Sequence, residues 1–477
     1  MILVKRFYDA KLAQASYLVA STGTGHAIVI DPNRDIEQYL LAAADEGVAI
    51  SHVTETHIHA DFVSGSRELA ARAQAQLLLS NEGGPDWRYA FAADAGAVLL
   101  EDGNRFDVGS VRFEAKHTPG HTPEHLMFLV TDTSADDQPL AAVTGDFLFV
   151  GDVGRPDLLE RAAHVAGSMD GAARALFHSL RVLEPLPDHL QIWPGHGAGS
   201  ACGKGLGALP QSTLGYERRT NWALKITSES DFVRQVLEGQ PEPPAYFAAM
   251  KRINRDGPPA RAAQAAPDCL DVDRLAAVLE AGTLVIDTRP AAAFAKAHIP
   301  ATMNIPLNRS FTTWAGALVP YTAPFYLIVD QHGPNAHGLQ EVLRDLSMIG
   351  LEQVAGYADT AVVREWGASG RPTENVPRVD AGRAASMARE HAAIVLDVRS
   401  RAEWSGGHVP GATHIPLAEL PRRMEQLSGE RPIIVHCQGG ARSAIAASLL
   451  LARGAAPVHD LAGGFNEWQA AGLPSER

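Results

Sequence analysis

The chain has 477 residues, 46% hydrophobic and 20% charged, which is ordinary for folded protein but too long for one core, so about three domains are expected. Its 41 basic and 55 acidic residues leave a net charge of −14, which argues against nucleic acid or an anionic membrane surface as the main partner. No apolar run reaches the roughly eighteen residues of a membrane span. The opening MILVKRFYDAKLAQ carries Lys5 and Asp9 and lacks the apolar core of a signal peptide, so a cytoplasmic protein is expected.

Residues 1 to about 257 alternate strand and helix patterns. HAIVID is an apolar strand, RDIEQYLLAAADEG a helix, and AISHVTETH a strand running into a loop. The pattern continues through SGSRELAARAQAQ, LLLS, AAVTGDFLF and LQIWPGHG, with Gly, His or Asp at the strand ends. α/β enzymes place their sites at such ends. Four of these loops carry metal-ligand chemistry: His57-Ile-His59-Ala-Asp61-Phe62, His117-Thr-Pro-Gly-His121, Thr-Gly-Asp146 and Pro-Gly-His196. Neutral imidazoles and carboxylates suit zinc or iron. His117 and His125 are expected to be structural.

Further on, Gly-Asp152-Val-Gly-Arg155-Pro-Asp157 offers an arginine for the substrate or for Asp157, the latter being favoured. Ala-Cys202-Gly-Lys204-Gly places a thiol beside a lysine, an arrangement that makes a cysteine more acidic. Cys202 is a candidate reactive, substrate-binding thiol or a buried, inert residue. The Pro-rich GQPEPPAYFAAMKRINRDGPPARAAQAAPD then leads out of this domain.

The remainder is an internal repeat. DTRPAAAFAKAHIPATMNIPL begins at Asp287 and DVRSRAEWSGGHVPGATHIPL at Asp397, matching Arg289 with Arg399 and His298 with His408. Two small α/β domains are expected, 258–376 and 377–477. In the second, IIVHCQGGARS leads from a strand through Cys437 into a helix. Gln438, Gly439, Gly440 and Ala441 turn backbone N–H groups toward the sulfur, and Arg442 adds a cation, an environment for a thiolate and its persulfide. In the first copy Gln331 and Ala336 stand in the places of Cys437 and Arg442, so sulfur chemistry is not expected there. Three cysteines, Cys202, Cys269 and Cys437, make no disulfide framework, and Cys269 reads as incidental.

The first 250 or so residues resemble the metallo-β-lactamase superfamily, whose His-x-His-x-Asp-His motif ends here in Phe62 instead of histidine. Within that superfamily the chain resembles the persulfide dioxygenases, and residues 377–477 resemble rhodanese. The loop has the shorter spacing of sulfurtransferases, not that of the related phosphatases. The resemblance implies an αββα sandwich followed by two rhodanese-like domains, the first a pseudo-rhodanese. It implies one Fe(II) per chain on His57, His121 and Asp146, with His59, Asp61 and His196 orienting ligands or forming a residual second site. The implied activity is O2-dependent oxidation of small thiol persulfides, such as those of glutathione or coenzyme A, to sulfite and thiol. Cys437 would pass sulfur between persulfide, sulfite and thiosulfate. A role in sulfide detoxification and a dimer or tetramer go with the resemblance. A glyoxalase-II-like zinc thioesterase and a non-catalytic sulfur carrier or persulfide sensor are the alternatives.

Overall fold

The computed structural model describes residues 1–161, 167–260, 266–332, 338–427, 431–455 and 457–477. The chain forms two units, Met1–Ala262 with Ser347–Gly350, and Ala263–Leu346 with Leu351–Arg477.

In the first unit, β1 (Ile2–Asp9), β2 (Gln14–Ser21), β3 (His26–Ile30), β4 (Ala49–Thr54), β5 (Gln76–Ser80) and β6 (Val98–Leu100) make one sheet in that order. β7 (Arg105–Val108), β8 (Val111–His117), β9 (Leu126–Asp132), β10 (Ala141–Gly145), β11 (Gln191–Pro194) and β12 (Ser212–Thr213) make the other. β2 is buried along its whole length and β3 from Ala27 onward, because both their faces are covered. Tyr17, Val19, Ile28 and Ile30 meet Phe113, Phe128, Val143 and Trp193 between the sheets. Leu18, Ala20, Ala27 and Val29 point the other way, onto the helices Glu37–Asp45 and Ser66–Ala73. The outer face of the second sheet is covered in the same manner by the helices Ser168–Ser179 and Glu229–Leu237. The result is a helix–sheet–sheet–helix sandwich.

One stretch behaves differently from its expected role as an exit. Within the Pro-rich passage, the helix Phe247–Asp256 buries Phe247, Met250 and Asn254. The Asn254 amide donates to the carbonyls of His59 and Phe62, both at 2.7 Å, and its oxygen accepts from Ser64 N at 2.9 Å. This segment therefore splints the loop that carries the histidines.

The second unit holds two five-stranded parallel sheets. The strands of the first are β13 (Asp268–Cys269), β14 (Val285–Asp287), β15 (Met303–Asn304), β16 (Phe325–Val329) and β17 (Val354–Asp359), in the order β13-β17-β16-β14-β15. Those of the second are β18 (Arg378–Val379), β19 (Ile394–Asp397), β20 (Thr413–His414), β21 (Ile433–His436) and β22 (Val458–Leu461), in the order β18-β22-β21-β19-β20. The repeat extends to single hydrogen bonds. Arg289 grips Asp287, and Arg399 grips Asp397, in both cases with Nε at 3.0 and 2.9 Å and NH2 at 2.6 Å from the carboxylate. His298 stacks on Phe294 at 3.9 Å, and His408 on Trp404 at 3.5 Å.

The helix Ala441–Ala452 is buried nearly all round, which its composition of Ala, Leu, Ile and Ser allows. It packs on β21 and β22 of its own sheet and on β15 of the other, where Ser448 Oγ accepts from Asn304 N at 2.9 Å. Among the described residues no helix is long and apolar enough to cross a membrane.

Candidate metal centre and thiol loop

β4, β8, β10 and β11 run out into the loops that carry His57, His121, Asp146 and His196. At the end of β3, the Asp31 carboxylate accepts from Thr56 N at 2.6 Å and from Thr56 Oγ1 at 2.9 Å. With its proton so committed, Thr56 Oγ1 accepts from His57 Nδ1 at 2.9 Å, leaving the Nε2 lone pair for a metal. His121 Nδ1 donates to Arg155 O at 3.1 Å, with the same consequence. Burial, reinforced for His57 by neighbouring histidines, holds both imidazoles below their ordinary pKa and therefore neutral.

The third donor, Asp146, has its backbone N–H bonded to His125 Nε2 at 3.1 Å, while His125 Nδ1 lies 2.8 Å from Thr118 Oγ1. Both carboxylate oxygens of Asp146 are buried without a hydrogen-bond partner. His121 Nε2 and His57 Nε2 lie 3.4 and 4.0 Å from Asp146 Oδ2, and one ligand atom from each of the three residues falls within 4.8 Å of the others. Two neutral imidazoles and an otherwise unsatisfied carboxylate fit a divalent metal.

The remaining sequence candidates separate into groups. His59 turns its Nε2 to Asp31 at 3.1 Å, and its ring centre lies 4.4 Å from that of Phe62 in a tilted contact. Burial works to lower its pKa, but the Asp31 carboxylate outweighs this and raises it to about 9. Asp61, His196 and Cys202 form a second buried set, with His196 Nε2 3.3 Å from Asp61 Oδ2 and all three donors within 4.8 Å. The expected lysine effect on Cys202 is absent. Lys204 Nζ bonds the carbonyls of Gln235 and Glu238 and lies over the Trp222 ring at 5.2 Å. The thiol is buried beside Asp146 and Asp61, and burial followed by those carboxylates pushes its pKa well up.

Arg155 is fully buried. It holds Asp157 through two 2.8 Å bonds and also donates to Ala201 O and Pro241 O, which gives it a loop-clamping role and no exposed face for a substrate. His117 Nε2 bonds Pro123 O at 2.7 Å.

In the second unit, Cys437 follows β21 and is buried. Its Sγ accepts from Gly440 N at 3.1 Å and lies 3.8 Å from Ser443 Oγ, which in turn donates to Asp460 at 2.7 Å. Gly440 has φ +104°, a left-handed conformation that brings its N–H round to the sulfur. Gln438 is engaged elsewhere, its Oε1 accepting from Arg399 NH1 at 3.0 Å. Arg442 does not stand alone. Its NH1 and NH2 donate to the two Glu403 oxygens at 2.7 and 2.6 Å, while Ser400 N and Oγ also donate to Glu403. Burial would raise the Glu403 pKa, but these bonds, Arg442 foremost, bring it down to about 2. In the first copy, Gln331 follows β16, as Cys437 follows β21. Ala336 lies outside the described residues.

Sequence reasoning passed over Asp31, Asn254 and Glu403. Asp31 had a signal, as an acid at the end of an apolar strand, whereas Asn254 and Glu403 act across distances that no local pattern reports.

The family model for the metallo-beta-lactamase superfamily matches residues 10–196, and that for the rhodanese-like domain matches residues 380–471. A solved metallo-beta-lactamase from Staphylococcus aureus subsp. aureus COL is 38% identical, with a TM-score of 0.66, covering 75% of this chain and 99% of its own. The chain belongs to the metallo-beta-lactamase superfamily. This superfamily member carries a rhodanese-like domain at its C-terminal end. Its first domain is also similar to the mitochondrial persulfide dioxygenase ETHE1 of Bos taurus, at 27% identity over 49% of this chain and 80% of that protein. A hydroxyacylglutathione hydrolase of Rhodospirillum rubrum is 29% identical over 38% of this chain and 60% of its own.

Proposed function

We propose that the chain is a non-haem iron persulfide dioxygenase joined to an active sulfurtransferase domain and a silent one. The observation that carries this reading is the donor set itself. His57, His121 and Asp146 converge from three loops, each imidazole presenting Nε2, while His59 is withdrawn to Asp31 and Phe62 occupies the next motif position. Three protein ligands leave coordination positions open, unlike the closed four-ligand sites of structural metals. Bound there, one Fe(II) per chain would supply open positions for a persulfide sulfur and O2. The similarity to a persulfide dioxygenase supports the same choice.

The overall conversion is RSSH + O2 + H2O → RSH + SO3²⁻ + 2H⁺. In it the protein holds its imidazoles neutral by burial and fixes their tautomers through Thr56 and the Arg155 carbonyl. It also excludes bulk water, since His57, His121 and Asp146 are at most 2% exposed. At the second site Cys437 takes a sulfane sulfur and gives it up to a nucleophile. With sulfite as the acceptor, one S–S bond breaks at Cys437 as another forms in thiosulfate, and Cys437 leaves as the thiolate. Gly440 N–H and the Arg442–Glu403 pair lie beside that sulfur. Both activities place the chain in sulfide detoxification.

The decisive experiment is oxygen consumption by the iron-loaded chain with glutathione persulfide, beside His121→Ala and Cys437→Ser. Uptake lost in His121→Ala and kept in Cys437→Ser, which transfers no sulfur, is the expected result. Iron-loaded protein that consumes no O2 with any thiol persulfide overturns the reading. Thioester hydrolysis would then favour the hydrolase alternative, for which the Asp61–His196–Cys202 set supplies a second group of donors.

A further inference from the structure

The silent rhodanese-like copy keeps a cleft. In its sheet, β14 leads to β15 on one side, and the chain returns to β16 on the other, so the topology reverses between β14 and β16. Ligands of parallel α/β sheets bind outside the carboxyl ends of the strands at such a reversal. In the second copy the matching place, between β19 and β21, is where Cys437 emerges. In the first copy it holds a cavity of about 450 Å³, a volume suited to a small molecule.

Arg289 from the end of β14, Asn308 from beyond β15 and Asp330 from the end of β16 line this cavity, with Trp314 as an aromatic wall. Its remaining wall belongs to the other copy. Ala441 and Ile445, on the first turns of the helix that begins beside Cys437, close it. Ala441 directly follows Gly440, whose N–H contacts the Cys437 sulfur.

We propose that this cleft binds the small carboxylate-bearing thiol that accepts sulfur from Cys437, an inference that rests on the sulfurtransferase reading above. Arg289 spends Nε and NH2 on Asp287 and the Ala297 carbonyl, and among the described hydrogen bonds its NH1 makes none, so it can receive a carboxylate. The Asn308 amide suits the same carboxylate, and Trp314 the methylenes of a short thiol. The acceptor thiolate attacks the outer sulfur of the Cys437 persulfide. One S–S bond forms, the bond to Cys437 breaks, and Cys437 departs as the thiolate with no net oxidation. The silent domain has lost the thiol and kept the place for its partner.

The test uses the full chain with Cys437 loaded with sulfane sulfur from polysulfide, then mixed with increasing glutathione or with uncharged 2-mercaptoethanol. Asn308 is exposed, and its side-chain oxygen accepts from Ser310 N at 2.8 Å, a bond that Asn308→Asp preserves. Asn308→Asp should raise the half-saturating glutathione concentration about fivefold, the effect of one partly exposed charge. Asn308→Lys should lower it, and neither change should affect 2-mercaptoethanol. Opposite shifts from opposite charges cannot come from a general loss of structure. Equal shifts for both thiols, or none, overturn the proposal. A loaded Cys437 that gives sulfur to no thiol overturns the sulfurtransferase reading instead.

Discussion

Because Glu403 takes both terminal nitrogens of Arg442, the cation beside Cys437 is largely balanced, and the sulfur depends more on the Gly440 N–H than the sequence suggests. Glu403→Gln removes that balancing charge, so iodoacetamide should modify Cys437 faster at neutral pH, as mass spectrometry will show. The same substitution tests stability. A carboxyl whose pKa falls from 4.5 to about 2 on folding contributes stability above pH 4.5 and loses it as the pH drops through about 2. Acid unfolding of the wild type should therefore steepen in that window, and Glu403→Gln should flatten it. Cys202 presents the opposite case. Buried beside two carboxylates, its thiol is held in the protonated form. Iodoacetamide should label exposed Cys269 well before Cys202, as mass spectrometry of the folded chain will show.

Single elements set the metal site by close backbone approach. Gly154 sits in the turn after β10, where an added Cβ would lie 1.7 Å from Asp146 O and 3.2 Å from His121 Cβ. No side-chain adjustment relieves a clash with backbone. Gly154→Ala should therefore push Asp146 off its position, lower bound metal several-fold by elemental analysis and cost about 1–3 kcal/mol of stability. The helix Phe247–Asp256 works on the other side of the site, its Asn254 tying together the backbone between His59 and Ser64.

Within the second unit the two repeats share one helix. Residues of Ala441–Ala452 are buried against β21 and β22 and against β15, so the helix is core to both copies. Leu450 is fully buried there. Leu450→Ala should destabilise the unit by about 2–5 kcal/mol in denaturant unfolding, the range for a buried leucine that leaves a cavity. Both repeats should respond together, because neither can bury that helix alone. The first copy thus supplies part of the packing around the helix that leads out of the Cys437 loop.

Patterns carried by neighbouring residues were legible before any coordinates. The alternation of strands and helices, the strand-end positions of His57, His121 and Asp146, the duplication from Asp287 to Asp397 and the loop from Cys437 to Arg442 are all local or periodic, and backbone preferences write such features directly into the chain. What the chain alone left open are the pairings between loops that only folded sheets bring together. His59 meets Asp31 from 28 positions away, and Arg442 meets Glu403 from 39. Cys202 arrives beside Asp61 instead of Lys204, and a cavity in the first copy opens against Ala441. Each of these turns on which groups share a buried space, and shared burial sets charge, tautomer and reactivity only once distant strands lie side by side.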